Sequence, residues 1–182
     1  MIVGAYKAFD RAMLNAANAA VRGWNFVTGE RKEELANKLI TLATISSSVG
    51  AFSLHPLIGI PHSSLALYLT HLIHETNSEV AKVEREALEK SLKDMDVEAS
   101  KGDYQMVSAG SLAMTLAGTS FASSEKDLPS KVFYGSLALA GLFSAASFYV
   151  MRSEENPPSR KNVLSRAWEK TKEIASRARD YL

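Results

Sequence analysis

The sequence predicts an all-α, polytopic helical membrane protein: two apolar hairpins, giving about four membrane helices, flanked by amphipathic helices. Three observations predict it. Five prolines, ten glycines and long Ala/Leu/Ser runs favour helix over strand. Residues 39–74, 104–124 and 132–151 contain no Asp, Glu, Lys or Arg, although 23% of the chain is charged. At both ends of the chain, apolar residues recur every three or four positions, the period of a one-sided helix.

A length of 182 residues fits a single domain, 1–182. Its first element is an amphipathic helix over 4–27, with Tyr6, Phe9, Met13, Ala16, Ala20 and Trp24 on one face and Lys7, Asp10, Asn15, Asn18, Arg22 and Asn25 around it. Thr28 is placed to cap the next helix, and Glu30 suits its positive end. That helix, 30–54, turns apolar at Leu39 and stops at the His55-Pro56 step, because the residue before proline avoids helical geometry. The segment "HPLIGIP" reads as an apolar turn. Pro61 then opens a long helix, 61–101, apolar at first and polar beyond His74, ending near Gly102. The second hairpin is 104–124 and 131–152, joined by "EKDLPSK". After "RSEENPPSR", residues 160–181 form a basic amphipathic helix.

Charge placement gives a topology. If both termini are cytosolic, the inner segments 1–38, 75–103 and 152–182 hold 6, 5 and 8 of the 21 Lys and Arg residues, as the positive-inside rule requires. Trp24, Trp168, Arg166, Lys170 and Arg177 are the expected membrane-interface residues, since Trp and basic side chains favour headgroup depth. One length counts against full spanning. If the third helix starts at Pro61, 14 uncharged residues remain to His74, covering roughly 21 Å of a ~30 Å hydrocarbon core. The competing fold is a soluble helical bundle with an uncharged core.

All four histidines lie in "SLHPLIGIPHSSLALYLTHLIHETN". His71 and His74 share a helix face and Glu75 lies beside them, so these three are the candidate metal or haem ligands. The plainer reading makes them half-solvated residues at the membrane boundary. His55 and His62 flank the predicted turn, at the far end of the uncharged segment. A polar stripe of Ser64, Tyr68, His71 and Glu75, facing Thr41, Thr44 and Ser48, is a candidate path for an ion or proton. Against it stands the lack of a charged residue at mid-membrane.

Other chemistry is excluded or unsupported. With no cysteine there is no disulfide framework, Cys-ligated zinc, iron–sulfur cluster or thiol nucleophile. Neither a G-x-S-x-G elbow nor a phosphate-binding glycine loop occurs. A net charge of +1 and a last helix mixing acids with bases argue against nucleic acid. Lys7, Asp10 and Arg11 interrupt any secretory signal.

The expected function is a non-enzymatic membrane scaffold or membrane-organising protein, with no cofactor and no catalytic residue assigned. Its partners are the lipid bilayer, further copies of itself, and a possible cytosolic partner for residues 76–101. Self-association would use small-residue faces: Ala109, Ala113 and Ala117, and Gly141 with Ala145. A channel or transporter subunit and a metal- or haem-binding membrane protein are the alternatives.

Overall fold

A computed structural model describes residues 2–89, 95–155 and 157–180; the side chains of 2–6, 85–89, 95–103, 105, 106, 164 and 173–180 lie outside that description. The described residues form helices and no strand: α1 (Ile2–Thr28), α2 (Lys32–Leu54), α3 (Pro56–Glu89), α4 (Met95–Ser124), α5 (Leu128–Arg152) and α6 (Val163–Asp180). Where length suggested one domain, the chain gathers into two compact units. One comprises 1–32 and 153–182, the other 33–152.

The terminal unit is tied by polar contacts. Gly29 ends α1 in the left-handed region at φ 80°, its N–H returning to the Asn25 carbonyl at 2.9 Å. Thr28 does not cap α2 as expected. Its hydroxyl donates to the Trp24 carbonyl and accepts from the Glu30 N–H, shaping the turn. Residues that follow α5 bond back to α1 and its end: Ser153 donates to Asn18 Oδ1 at 2.6 Å, buried Asn25 donates to the Pro158 carbonyl, and Arg160 N–H donates to Gly29 O. The buried ammonium of Lys32 donates to the Ser153 carbonyl at 3.1 Å. Asn162 then caps α6, accepting from Ser165 N–H at 2.7 Å.

In the second unit the α2–α3 corner differs from expectation. "HPLIGIP" is not a turn. His55 alone is the break, its Nδ1 accepting from Leu57 N–H at 3.2 Å, and Pro56 rather than Pro61 occupies the first turn of α3. Gly59 makes the corner tight, since any Cβ there would meet the Phe52 ring at 2.4 Å. The correction lengthens the uncharged part of α3 to 19 residues, Pro56 to His74, or roughly 28 Å of rise. The polar half also differs. Residues 95–102 belong to α4, and residues 90–94 lie outside the described residues. Asp127 caps α5 through a 2.8 Å bond from Ser130 N–H, so that helix starts three residues earlier than predicted, at Leu128.

Helices α4 and α5 pack with their backbones close together. A Cβ on Gly118 would reach Ala138 N at 2.8 Å, and one on Gly141 would reach Ser111 O at 2.7 Å. Gly50 of α2 lies similarly against Ser136 of α5. Small residues are therefore what brings these helices together.

Candidate functional site

The Glu33–Arg152 unit has an interior rich in small and polar residues. It holds Ala36, Ala43, Ala51, Ala81, Ala140 and Ala145 with Thr44, Thr70, Asn77, Ser108, Ser136 and Ser147, and its large apolar members are few: Ile40, and Phe148 to Met151 at the end of α5. Its surface holds Ile45 (55% exposed), Val49, Phe52, Leu57, Leu65, Leu67 (63%), Leu69, Leu116 (71%) and Leu139. Apolar exposure at this many positions marks a candidate interaction surface. The exposed hydroxyls among these leucines are quenched by their own helices: Thr41 donates to Asn37 O, Ser64 to Ile60 O, Thr119 to Thr115 O, and Ser124 to Phe121 O.

The buried polar groups pair across the helices of the unit. Thr44 and Thr70 share a hydrogen bond between α2 and α3. One turn further along α3, His74 Nε2 lies 3.0 Å from the Asn37 carbonyl and 3.4 Å from Thr41 Oγ1. A carbonyl only accepts, so this nitrogen carries the proton. Next, Asn77 Nδ2 donates to Asn37 Oδ1 at 2.8 Å, and Tyr104 of α4 donates to Asn77 Oδ1 at 2.9 Å. Tyr104 stacks on Phe148 of α5, ring centres 5.8 Å apart, and Ser147 donates to the Ala36 carbonyl at 2.8 Å. All four helices of the unit thus meet at this network.

The inward face of α3 is Gly59, Ala66, Thr70, Asn77, Ala81 and Glu84, with His74 half-buried beside it. The expected stripe of Ser64, Tyr68, His71 and Glu75 lies about 150° round the helix and points outward: Tyr68 is 59% exposed. Of the α2 stripe, Thr44 is buried, Ser48 half-buried and Thr41 exposed. The structure therefore does not bring the two expected stripes together. The inner stripe consists of small or polar residues at 59, 66, 70, 77, 81 and 84, with Leu65, Leu69 and Leu72 outside it.

The candidate ligands part company. His71 Nε2 and Glu75 Oε1 form an exposed pair at 3.4 Å, while His74 turns to α2. Among the described residues no three His, Asp or Glu side chains are placed to hold a metal ion.

Of the interface residues, Trp24 is half-buried and donates to Glu30 Oε2 at 3.0 Å. Arg166 donates to the Phe26 carbonyl at 2.5 Å, giving α1 the basic C-terminal partner that its own last turn lacks. Both serve the terminal unit. Trp168 (62% exposed) and Lys170 are free to meet a surface, with Lys172 stacked 5.3 Å over the Trp168 ring. The Arg177 side chain, and those of 85–101 in the expected partner segment, lie outside the described residues.

Of the small-residue faces, Gly141 and Ala145 are consumed inside the chain, whereas Ala113 and Ala117 remain exposed on α4. Fold and site together define an all-α chain whose helices leave many large apolar side chains exposed and bury several threonine, serine and asparagine side chains. Comparison with protein-family models, with curated proteins and with solved structures finds no match.

Proposed function

We propose that this chain is an integral membrane protein that organises a membrane or a membrane assembly without catalysing a reaction. The observation that carries the reading is the large number of leucine, isoleucine and phenylalanine side chains turned outward in the Glu33–Arg152 unit while threonine, serine and asparagine are turned inward beside Ile40 and Phe148. Lipid tails would cover the outward set at no cost in ordered partners. In water the same surface would expose a broad apolar area.

Among the described residues only α5, Leu128–Arg152, is long and apolar enough by composition to cross a membrane, and the buried core helix of a water-soluble protein can meet the same criterion. Mean hydropathy counts every residue of a helix equally. In α2 to α4, Thr44, Thr70, Asn77 and Ser108 lower that mean from the inside, where lipid would not meet them. The corrected start of α3 also removes the length objection, since ~28 Å approaches the ~30 Å core. Under this reading the termini are cytosolic by the distribution of Lys and Arg. Self-association would use the exposed Ala113–Ala117 face of α4.

Alkaline carbonate extraction of cell membranes tests the proposal. The chain should stay in the pellet; full release into the supernatant would overturn it. A second reading, a channel or transporter subunit, is favoured by the line Thr44, Thr70, His74 and Asn77. It predicts flux in proteoliposomes that is lost on Thr70→Val and kept on Tyr68→Phe.

A further inference from the structure

In the terminal unit two guanidinium groups share one aromatic ring. Arg160 lies 5.9 Å and Arg166 5.5 Å from the Phe26 ring centre. Neither meets a carboxylate among the described residues. Arg166 spends one nitrogen on the Phe26 carbonyl, and its Nε is buried without an acceptor. Both groups are cationic, and an anion beside either would be attracted. Next to Arg160 runs an open groove of about 490 Å³. Arg22 and Arg160 stand at its rim, and Gly23, Phe26, Pro157 and Pro158 supply an apolar lining. A Cβ on Gly23 would meet nothing within 4 Å, so the groove is unobstructed there. Arg22 is engaged by Glu155 through Nη1 alone, at 2.8 Å, which leaves its other donors available.

The groove lies at the C-terminal end of α1, where the helix dipole opposes an anion. That opposition is blunted here. The Phe26 carbonyl is taken by Arg166 and the Asn25 carbonyl by Gly29 N–H. What remains is paired planar cations over an apolar floor, in a space larger than a bare ion. We propose that this groove binds a phosphate ester, with Arg160 and Arg22 on the phosphate oxygens and Phe26 with the prolines against the apolar remainder. The source is either an anionic phospholipid headgroup, which rests on the membrane reading above, or a free phosphate compound.

The test is calorimetric titration of the full chain in neutral detergent with dihexanoyl phosphatidylglycerol, dihexanoyl phosphatidylcholine and inorganic phosphate. Saturable binding of the phosphatidylglycerol, with phosphatidylcholine at least about tenfold weaker, supports the headgroup. Saturable binding of inorganic phosphate alone supports the free source. Arg160→Gln and Arg22→Gln should each weaken the bound probe about tenfold or more, whereas Lys172→Gln, on α6 outside the groove, should not. Arg160 joins the fold through its backbone N–H, which the substitution keeps, and helical circular dichroism checks this. Saturable binding of neither anionic probe overturns the proposal, as does an equal loss in Arg160→Gln and Lys172→Gln. These short-chain probes need no bilayer, so their failure is distinct from release by carbonate.

Discussion

Asn77 Nδ2 donates to Asn37 Oδ1 at 2.8 Å, joining α2 to α3 at a point where Asn77 is wholly buried. The same amide accepts from Tyr104, so one side chain satisfies groups on two neighbouring helices. Asn77→Ala removes both partners at once and leaves the Tyr104 hydroxyl and the Asn37 carboxamide unpaired. In water an unsatisfied buried group costs about 1–3 kcal/mol, and interhelical hydrogen bonds in a bilayer average about 0.6 kcal/mol. Thermal unfolding in detergent should show a clear loss for Asn77→Ala. A cycle with Tyr104→Phe should show positive coupling between the two sites.

Gly29 is constrained twice over. Its φ of 80° disfavours any L side chain, and a Cβ would sit 1.7 Å from the Arg160 carbonyl oxygen. Gly29→Ala should cost more than the ~1 kcal/mol of a left-handed alanine, because segment 153–160 must also move. Limited proteolysis reads this out: cleavage within 153–162 should accelerate in the variant while α4 and α5 stay protected.

Asp127 at the start of α5 has its carboxyl held below the ordinary range, chiefly by the Ser130 backbone and side-chain hydrogen bonds and then by Lys131. A depressed folded pKa means that the cap contributes above the unfolded carboxylate value, near 3.9, and is lost as pH falls through the lower folded value. Asp127→Ala should lower Tm at pH 7. The gap between variant and parent should close as the pH is taken well below 4.

Gly141 tests the close approach of α4 and α5. Gly141→Val should push α4 away, because the obstacles are Ser111 O and Thr115 N, backbone atoms that cannot rotate aside. The expected outcome is a lowered Tm and increased amide exchange on α4, with the terminal unit unchanged. The exposed Ala113→Val should leave Tm nearly as it was and, if α4 is the self-association face, weaken the oligomer seen by crosslinking.

Much of this was legible in the sequence because helix periodicity and charge gaps are local signals. The three uncharged stretches locate the apolar parts of α2 to α5, and the Pro56 step ends α2 where expected. The face of α3 was not legible to the same degree. Ser64 and Tyr68 are polar by composition, yet Ser64 satisfies itself on Ile60 O, and Tyr68 lies on the outward face. Choosing the Thr70–Asn77 face instead requires the positions of Asn37 and Tyr104, which are 40 and 27 residues away from Asn77 in sequence. The start of α3 was misjudged because either proline suits a first turn; the His55 ring accepting Leu57 N–H selects Pro56. The pairing of α1 with segment 153–160 rests on Ser153, Pro158 and Arg160 reaching residues over 120 positions away, for which a single sequence carries no signal.

The central claim is that lipid covers the outward faces of α2 and α3, and spin-label accessibility measures it directly. The chain has no cysteine, so Ile45→Cys and Leu67→Cys can each carry one nitroxide without background. In proteoliposomes, both labels should relax strongly with oxygen and weakly with a water-soluble nickel chelate. Strong relaxation by the chelate at both sites would contradict the account and place those leucine-rich faces in water.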